Sequence, residues 1–94
     1  MQILKDDKFL LKLKIVVRFI AIHSPNNARK FKKELDNKIK SLTHFPYKYR
    51  QSIHFNNENI RDLIFKGYII PYFIDEEWDR IIILGIIKYQ NKID

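Results

Sequence analysis

The sequence predicts an α+β fold, with an N-terminal helical hairpin packed on one face of a roughly four-stranded, mainly antiparallel sheet. Two observations point there. Three short runs rich in β-branched and aromatic residues, at 60–65, 68–74 and 81–87, crowd the last third of the chain. Lys66-Gly67 and an acidic stretch at 75–79 separate them, which is the punctuation of an antiparallel meander. Upstream, two segments of helical periodicity meet at Ser24-Pro25. Their apolar faces need a surface to lie on, and the meander supplies it. One domain spans 1–94, with the hairpin at about 6–43 and the sheet at about 50–89.

Each element has a local cause. Gln2, Ile3 and Leu4 are enough for a short first strand. Asp6 or Asp7 can cap the helix that follows by accepting from its free N–H groups. Phe9, Leu13, Val16, Val17 and Ile20 recur at helical spacing. Leu10, Leu11 and Ile15 widen this stripe, so the helix is either buried on more than one side or offers a partner surface. Ser24 is a strong N-cap and Pro25 suits the first helical position, where its missing N–H would have no partner anyway. So short a link folds the two helices back on each other. The second helix runs to about Thr43, with Ala28, Phe31, Leu35, Ile39 and Leu42 inward. Glu34 with Lys38, and Asp36 with Lys40, stand at the spacing of helical ion pairs. Pro46 ends the helical region, because the residue before a proline disfavours the α conformation. The alternation at 50–55 predicts a further strand, and 56–59 a turn. Pro71 has no N–H to give a ladder, so its strand should carry a bulge or an unpaired edge there.

Composition removes several function classes. With no cysteine there is no disulfide framework, thiolate metal site or cysteine nucleophile. No uncharged apolar run is long enough to span a bilayer, and acidic residues interrupt the start before any signal-like core develops, which reads as a cytoplasmic protein with no membrane partner. Charge is unevenly placed: residues 1–50 hold 13 Lys and Arg against 4 Asp and Glu, whereas 51–94 hold 5 against 7. A basic helical half attracts phosphates or an acidic protein, although a solvated lysine-rich surface accounts for the same numbers.

No catalytic motif stands out. His23, His44 and His54 lack metal-ligand spacing, and Asp75, Glu76, Glu77 and Asp79 lack the glycine and spacing of a calcium loop, which leaves a solvated turn and no metal site. The remaining candidates are basic and aromatic: Arg50, Arg61, Lys66, Tyr68, Tyr72, Lys88 and Tyr89. Alternation puts Arg61, Leu63 and Phe65 on one face of a strand and Asp62 and Ile64 on the other. Arg61 with Asp62 also reads as a surface charge pair, and Tyr68 and Tyr72 as core aromatics with a wet hydroxyl.

Ser24-Pro25 with Ala28 and Phe31, Leu42 with Phe45-Pro46 and Arg50, Arg61-Asp62-Leu63, Tyr68 with Tyr72, and Ile83-Leu84 with Ile86 and Lys88 follow one another in an order that resembles the RelE/ParE toxins of bacterial type II toxin–antitoxin modules. The resemblance covers essentially the whole chain. It implies a small toxin that arrests growth until a co-encoded, usually acidic antitoxin wraps it, with no cofactor and no small-molecule substrate. The family divides by mechanism. RelE-like members are endoribonucleases that cut ribosome-bound mRNA with a cluster of sheet cations and a C-terminal Tyr or His. On that branch Arg61, Lys66, Lys88 and Tyr89 would be the catalytic groups, but Ile69 stands where an arginine follows Gly-Tyr. ParE-like members act on DNA gyrase and lack the cation cluster. This branch is favoured, although Lys88 replaces a frequent histidine. It makes Arg50, Arg61, Tyr68, Tyr72 and Lys88 the residues for target or antitoxin binding, in a protein that binds rather than catalyses. A small α+β binding domain without toxicity is the third reading.

Overall fold

The computed structural model describes residues 1–88. Its elements run β1 (Gln2–Lys5), α1 (Asp7–His23), α2 (Pro25–Ser41), β2 (Ile60–Phe65), β3 (Tyr68–Asp75), β4 (Arg80–Ile83) and β5 (Ile87–Lys88). Asp6 opens α1, its carboxylate accepting from Lys8 N–H at 2.8 Å. Ser24 serves both helices. Its N–H donates to the Ile20 carbonyl at 2.9 Å, closing α1, and its hydroxyl accepts from Asn27 N–H at 3.2 Å, opening α2. With Pro25 at the first helical position, the link is one residue long and the helices lie side by side.

The sheet has the order β1-β4-β3-β2, with β5 also paired to β3. β1 runs parallel to β4 and every other pair is antiparallel. Lys66 (φ 47°) and Gly67 (φ 82°) turn β2 into β3. Two positive φ values in a two-residue loop match the right-handed twist of the strands it joins, and glycine takes that conformation at no steric cost. One face of the sheet carries Leu63, Phe65, Ile70, Tyr72, Ile74, Ile81 and Ile83 against Phe9, Leu13 and Val16 of α1 and Phe31, Leu35 and Ile39 of α2. This is the expected helical hairpin on a sheet.

Three expectations need correction. Residues 50–55 are not a strand. Only Gln51 bridges to Arg61, while Ser52 N–H bonds the Ile60 carbonyl at 2.7 Å and Asp62 N–H bonds the Arg50 carbonyl at 3.1 Å. The next rung, from Ile60 N–H back to Ser52, is missing because Ile60 N–H donates to the Asn57 carbonyl at 3.0 Å, and Ile53 N–H turns to the Asp62 carboxylate at 3.3 Å. The run 81–87 is two strands rather than one. Between the Tyr72–Ile83 and Ile69–Ile87 pairs, Ile70 and Pro71 face three residues, Leu84, Gly85 and Ile86. Leu84 N–H still donates to the Pro71 carbonyl at 2.9 Å, but proline has no N–H to return. The ladder is therefore interrupted at Pro71 as expected, but the extra residue lies on the neighbouring strand rather than on the proline's own. Finally, the acids of α2 do not bond along their own helix. Glu34 pairs with Lys66 at 2.6 Å and Asp36 with Lys5 at 3.5 Å, pinning α2 to both ends of the sheet.

Candidate functional site

The candidate residues fall into two groups. Tyr68 and Tyr72 share a face of β3 but stand four residues apart, about 13 Å along the strand, and each anchors a different neighbourhood.

Around Tyr72 the side chains hold the long connection between α2 and β2. Tyr72 is fully buried and its hydroxyl donates to the Pro46 carbonyl at 2.5 Å, so the hydroxyl is satisfied by protein rather than by solvent. Burial pushes this phenol well above its ordinary range. Arg61 donates to the carbonyls of Glu58 at 3.0 Å and Tyr49 at 3.1 Å, and its guanidinium lies 5.0 Å from the centre of the Tyr47 ring. The Tyr47 hydroxyl donates to Glu76 at 2.7 Å, a bond that raises its pKa. Arg50 reaches over the edge of β2 to Asp62, 3.6 Å away. Asp62 is fully buried on the face away from Arg61, so the two are not a surface pair. Its second carboxylate oxygen has no hydrogen-bond partner among the described residues. Arg50, Arg61 and Tyr72 thus have structural duties in a cation–aromatic knot.

The other group surrounds β5. Lys88 pairs with Tyr68 across the ladder and is exposed. The Tyr68 ring packs edge-on against Phe31, with centroids 5.8 Å apart. Lys66, in the turn, is occupied by Glu34, whose carboxyl is held below its usual range by that bond. Tyr89 lies outside the described residues. Ile69 is buried. Lys12, not singled out from sequence, and His54, set aside there for lack of metal-ligand spacing, join Lys88. Lys12 of α1 and His54 of the connecting segment line a groove of about 560 Å³ with it, floored by Ile69, Ile86 and Ile87. A second groove of about 230 Å³ shares Lys12 and Lys88 and continues along Ile15, Val16, Phe19 and Tyr68.

That second groove opens onto the largest exposed apolar feature of the hairpin. Leu11, Ile15, Phe19 and Ile22 of α1 are 64%, 56%, 61% and 74% exposed. Their spacing places them on one helix face. The first of the two readings for this helix, burial on more than one side, does not hold: its inner stripe is covered and its outer stripe is exposed. The spacing was visible in sequence, but periodicity alone does not say which of two apolar stripes meets the sheet. Among the described residues, no carboxylate lines either groove. Apolar floors flanked by ammonium groups suit an apolar segment that carries negative charge.

The family model described as the ParE toxin of type II toxin-antitoxin system, parDE, matches residues 3–92. Among solved structures, the chromosomal ParDE toxin–antitoxin system from P. aeruginosa superposes with a TM-score of 0.77 at 18% identity, covering 96% of this chain and 97% of that one. At that identity the likeness speaks for the fold. Compared singly with curated proteins, the chain has no significant match. A fold of this topology and a family match over nearly its whole length lead to one conclusion: the chain belongs to the ParE toxin family of type II toxin–antitoxin systems.

Proposed function

We propose that the chain inhibits growth by binding DNA gyrase, and that a co-encoded antitoxin neutralises it by covering the outer stripe of α1 and the adjoining Lys12–Lys88 groove. The observation that carries the binding reading is the occupation of the sheet cations. Ribonucleolytic cleavage needs positive groups free to hold the charge that develops on phosphate. Arg61 is committed to two loop carbonyls and Lys66 to Glu34, and Ile69 is buried between Ile64 of β2 and Ile87 of β5. The antitoxin reading rests on the exposed stripe Leu11, Ile15, Phe19 and Ile22, an apolar surface too regular to be scattered exposure. A partner there carries apolar side chains at helical spacing and acids opposite the lysines. Supercoiling by purified gyrase, titrated with purified toxin, is the test. Full activity and no trapped cleavage complex at any toxin concentration would sink the gyrase proposal.

A second reading, ribosome-dependent mRNA cleavage, draws on the convergence of Lys12, His54 and Lys88 in one groove. There the lysines would hold the phosphate and His54 would move the proton. Primer extension on mRNA after toxin induction separates the readings. Cleavage that disappears in both His54→Ala and Lys88→Ala favours this one, and the absence of cleavage in the parent removes it.

A further inference from the structure

Ser52 and Asp62 are the two buried polar residues among those described, and each directly follows one member of the Gln51–Arg61 bridge. The Asp62 carboxylate has Arg50 at 3.6 Å and Ile53 N–H at 3.3 Å on one oxygen, and no hydrogen-bond partner on the other among the described residues. A buried carboxylate so thinly paired destabilises a fold relative to an apolar side chain. For β2 alone, a β-branched residue would serve as well. What the carboxylate holds lies in the connecting segment. Among the described residues, no backbone–backbone hydrogen bond holds 53–56, and all four of these residues are exposed. Ile53 N–H donates to Asp62, and His54 N–H donates to the Ser52 hydroxyl at 3.2 Å. With neither ladder nor burial to place them, these two residues owe their position to the two buried acceptors. Both line the groove that Lys12 and Lys88 enter from α1 and β5.

We infer that Asp62 is a positioning residue for this groove. Its carboxylate fixes the segment after Ser52, so that His54 stands with the two lysines as a third hydrogen-bond donor toward an acidic partner. The role rests on the reading of the groove as part of the antitoxin surface. The alternative, that Asp62 serves β2 itself, fits poorly with the open oxygen and with the neighbours its loss would leave. The Arg50 side chain is half exposed and Ile53 is exposed, so both their groups pass to water, and neither a buried charge nor a buried donor is stranded.

Asp62→Val, in the full chain, is the test. Its urea midpoint should equal or exceed the parent's. Amide exchange followed by NMR should show Ile53 N–H exchanging about 10-fold faster, the loss of one charge-assisted bond, with His54 N–H following. Calorimetry with the cognate antitoxin should show binding about 3- to 5-fold weaker. In a His54→Ala background the same substitution should change affinity by less than about 1.5-fold, because the group it positions is gone. Asp62→Asn keeps an acceptor for Ile53 N–H and should restore most of the affinity. If valine crowds the strand and the variant does not fold, Asp62→Ala carries the same readouts. A urea midpoint lowered in both would assign the carboxylate to β2 and overturn the inference. So would unchanged exchange at Ile53 and His54, or an equal loss of affinity with and without His54. Parent affinity in His54→Ala alone would be a failure of the antitoxin reading instead, and the exchange rates would then decide the placement by themselves.

Discussion

Replacing Tyr72 by phenylalanine isolates one bond. The ring is fully buried and its volume is kept, so no cavity opens. What disappears is the 2.5 Å bond from the hydroxyl to the Pro46 carbonyl, which ties the central strand to the connection leaving α2. A carbonyl deprived of its donor in a partly buried place costs about 1–2 kcal/mol, less than a fully enclosed one because water reaches part of it. In a domain of this size ~1 kcal/mol moves the melting temperature by about 4–8 °C. Tyr72→Phe should therefore melt about 5–15 °C lower, with a reduced urea midpoint and an unchanged m-value. Tyr68→Phe is the control, since its hydroxyl makes no hydrogen bond among the described residues and the change should be much smaller. A Tyr72→Phe protein with the parent's urea midpoint would refute the reasoning.

Other outcomes follow from the same structure. Because burial raises the folded-state pKa of Tyr72, the unfolded chain loses its proton first as pH climbs past ~10. Stability should be flat below pH 9 and fall above 10, and Tyr72→Phe should flatten the curve; parallel curves in pH-resolved urea titrations would contradict this. Ser24→Ala removes the cap of α2 and should cost about 1 kcal/mol in urea unfolding, while the backbone bond that closes α1 survives. Phe19→Ser should leave the melting temperature of the toxin nearly unchanged, because the ring is 61% exposed. Burying that remaining ring surface under a partner contributes ~1–2 kcal/mol, so calorimetry with the cognate antitoxin should show roughly 5- to 30-fold weaker binding.

What was legible in the sequence was local. Ser24-Pro25 names its own boundary because a hydroxyl and a missing N–H act within one turn. Lys66-Gly67 does the same for the hairpin, and Pro71 announced a break in the ladder because an absent donor cannot be supplied from elsewhere. What escaped depends on distant parts of the chain. The alternation at 50–55 reads as a strand until Ile60 N–H turns to the Asn57 carbonyl and leaves Ser52 without the returning bond. Helical ion pairs look available to Glu34 and Asp36 until Lys66 and Lys5 arrive from the sheet. Lys12, His54 and Lys88 are far apart in sequence, and nothing in their own neighbours says that α1, the connecting segment and β5 converge on one groove. Arg61 was singled out for its charge, and its engagement by two loop carbonyls could be seen only once the path of residues 43–59 was known.

The extra residue opposite Pro71 also sets parity. Side chains alternate along a strand, so an insertion of one exchanges the two sets beyond it. Had β4 continued in register, Ile87 would face the helices and Lys88 the opposite side. With three residues set against two, Ile87 falls opposite Ile69 and Lys88 opposite Tyr68, on the side where Lys12 waits. Deleting Gly85 alone would reverse that assignment, withdrawing a charge from the groove and putting an isoleucine in its place.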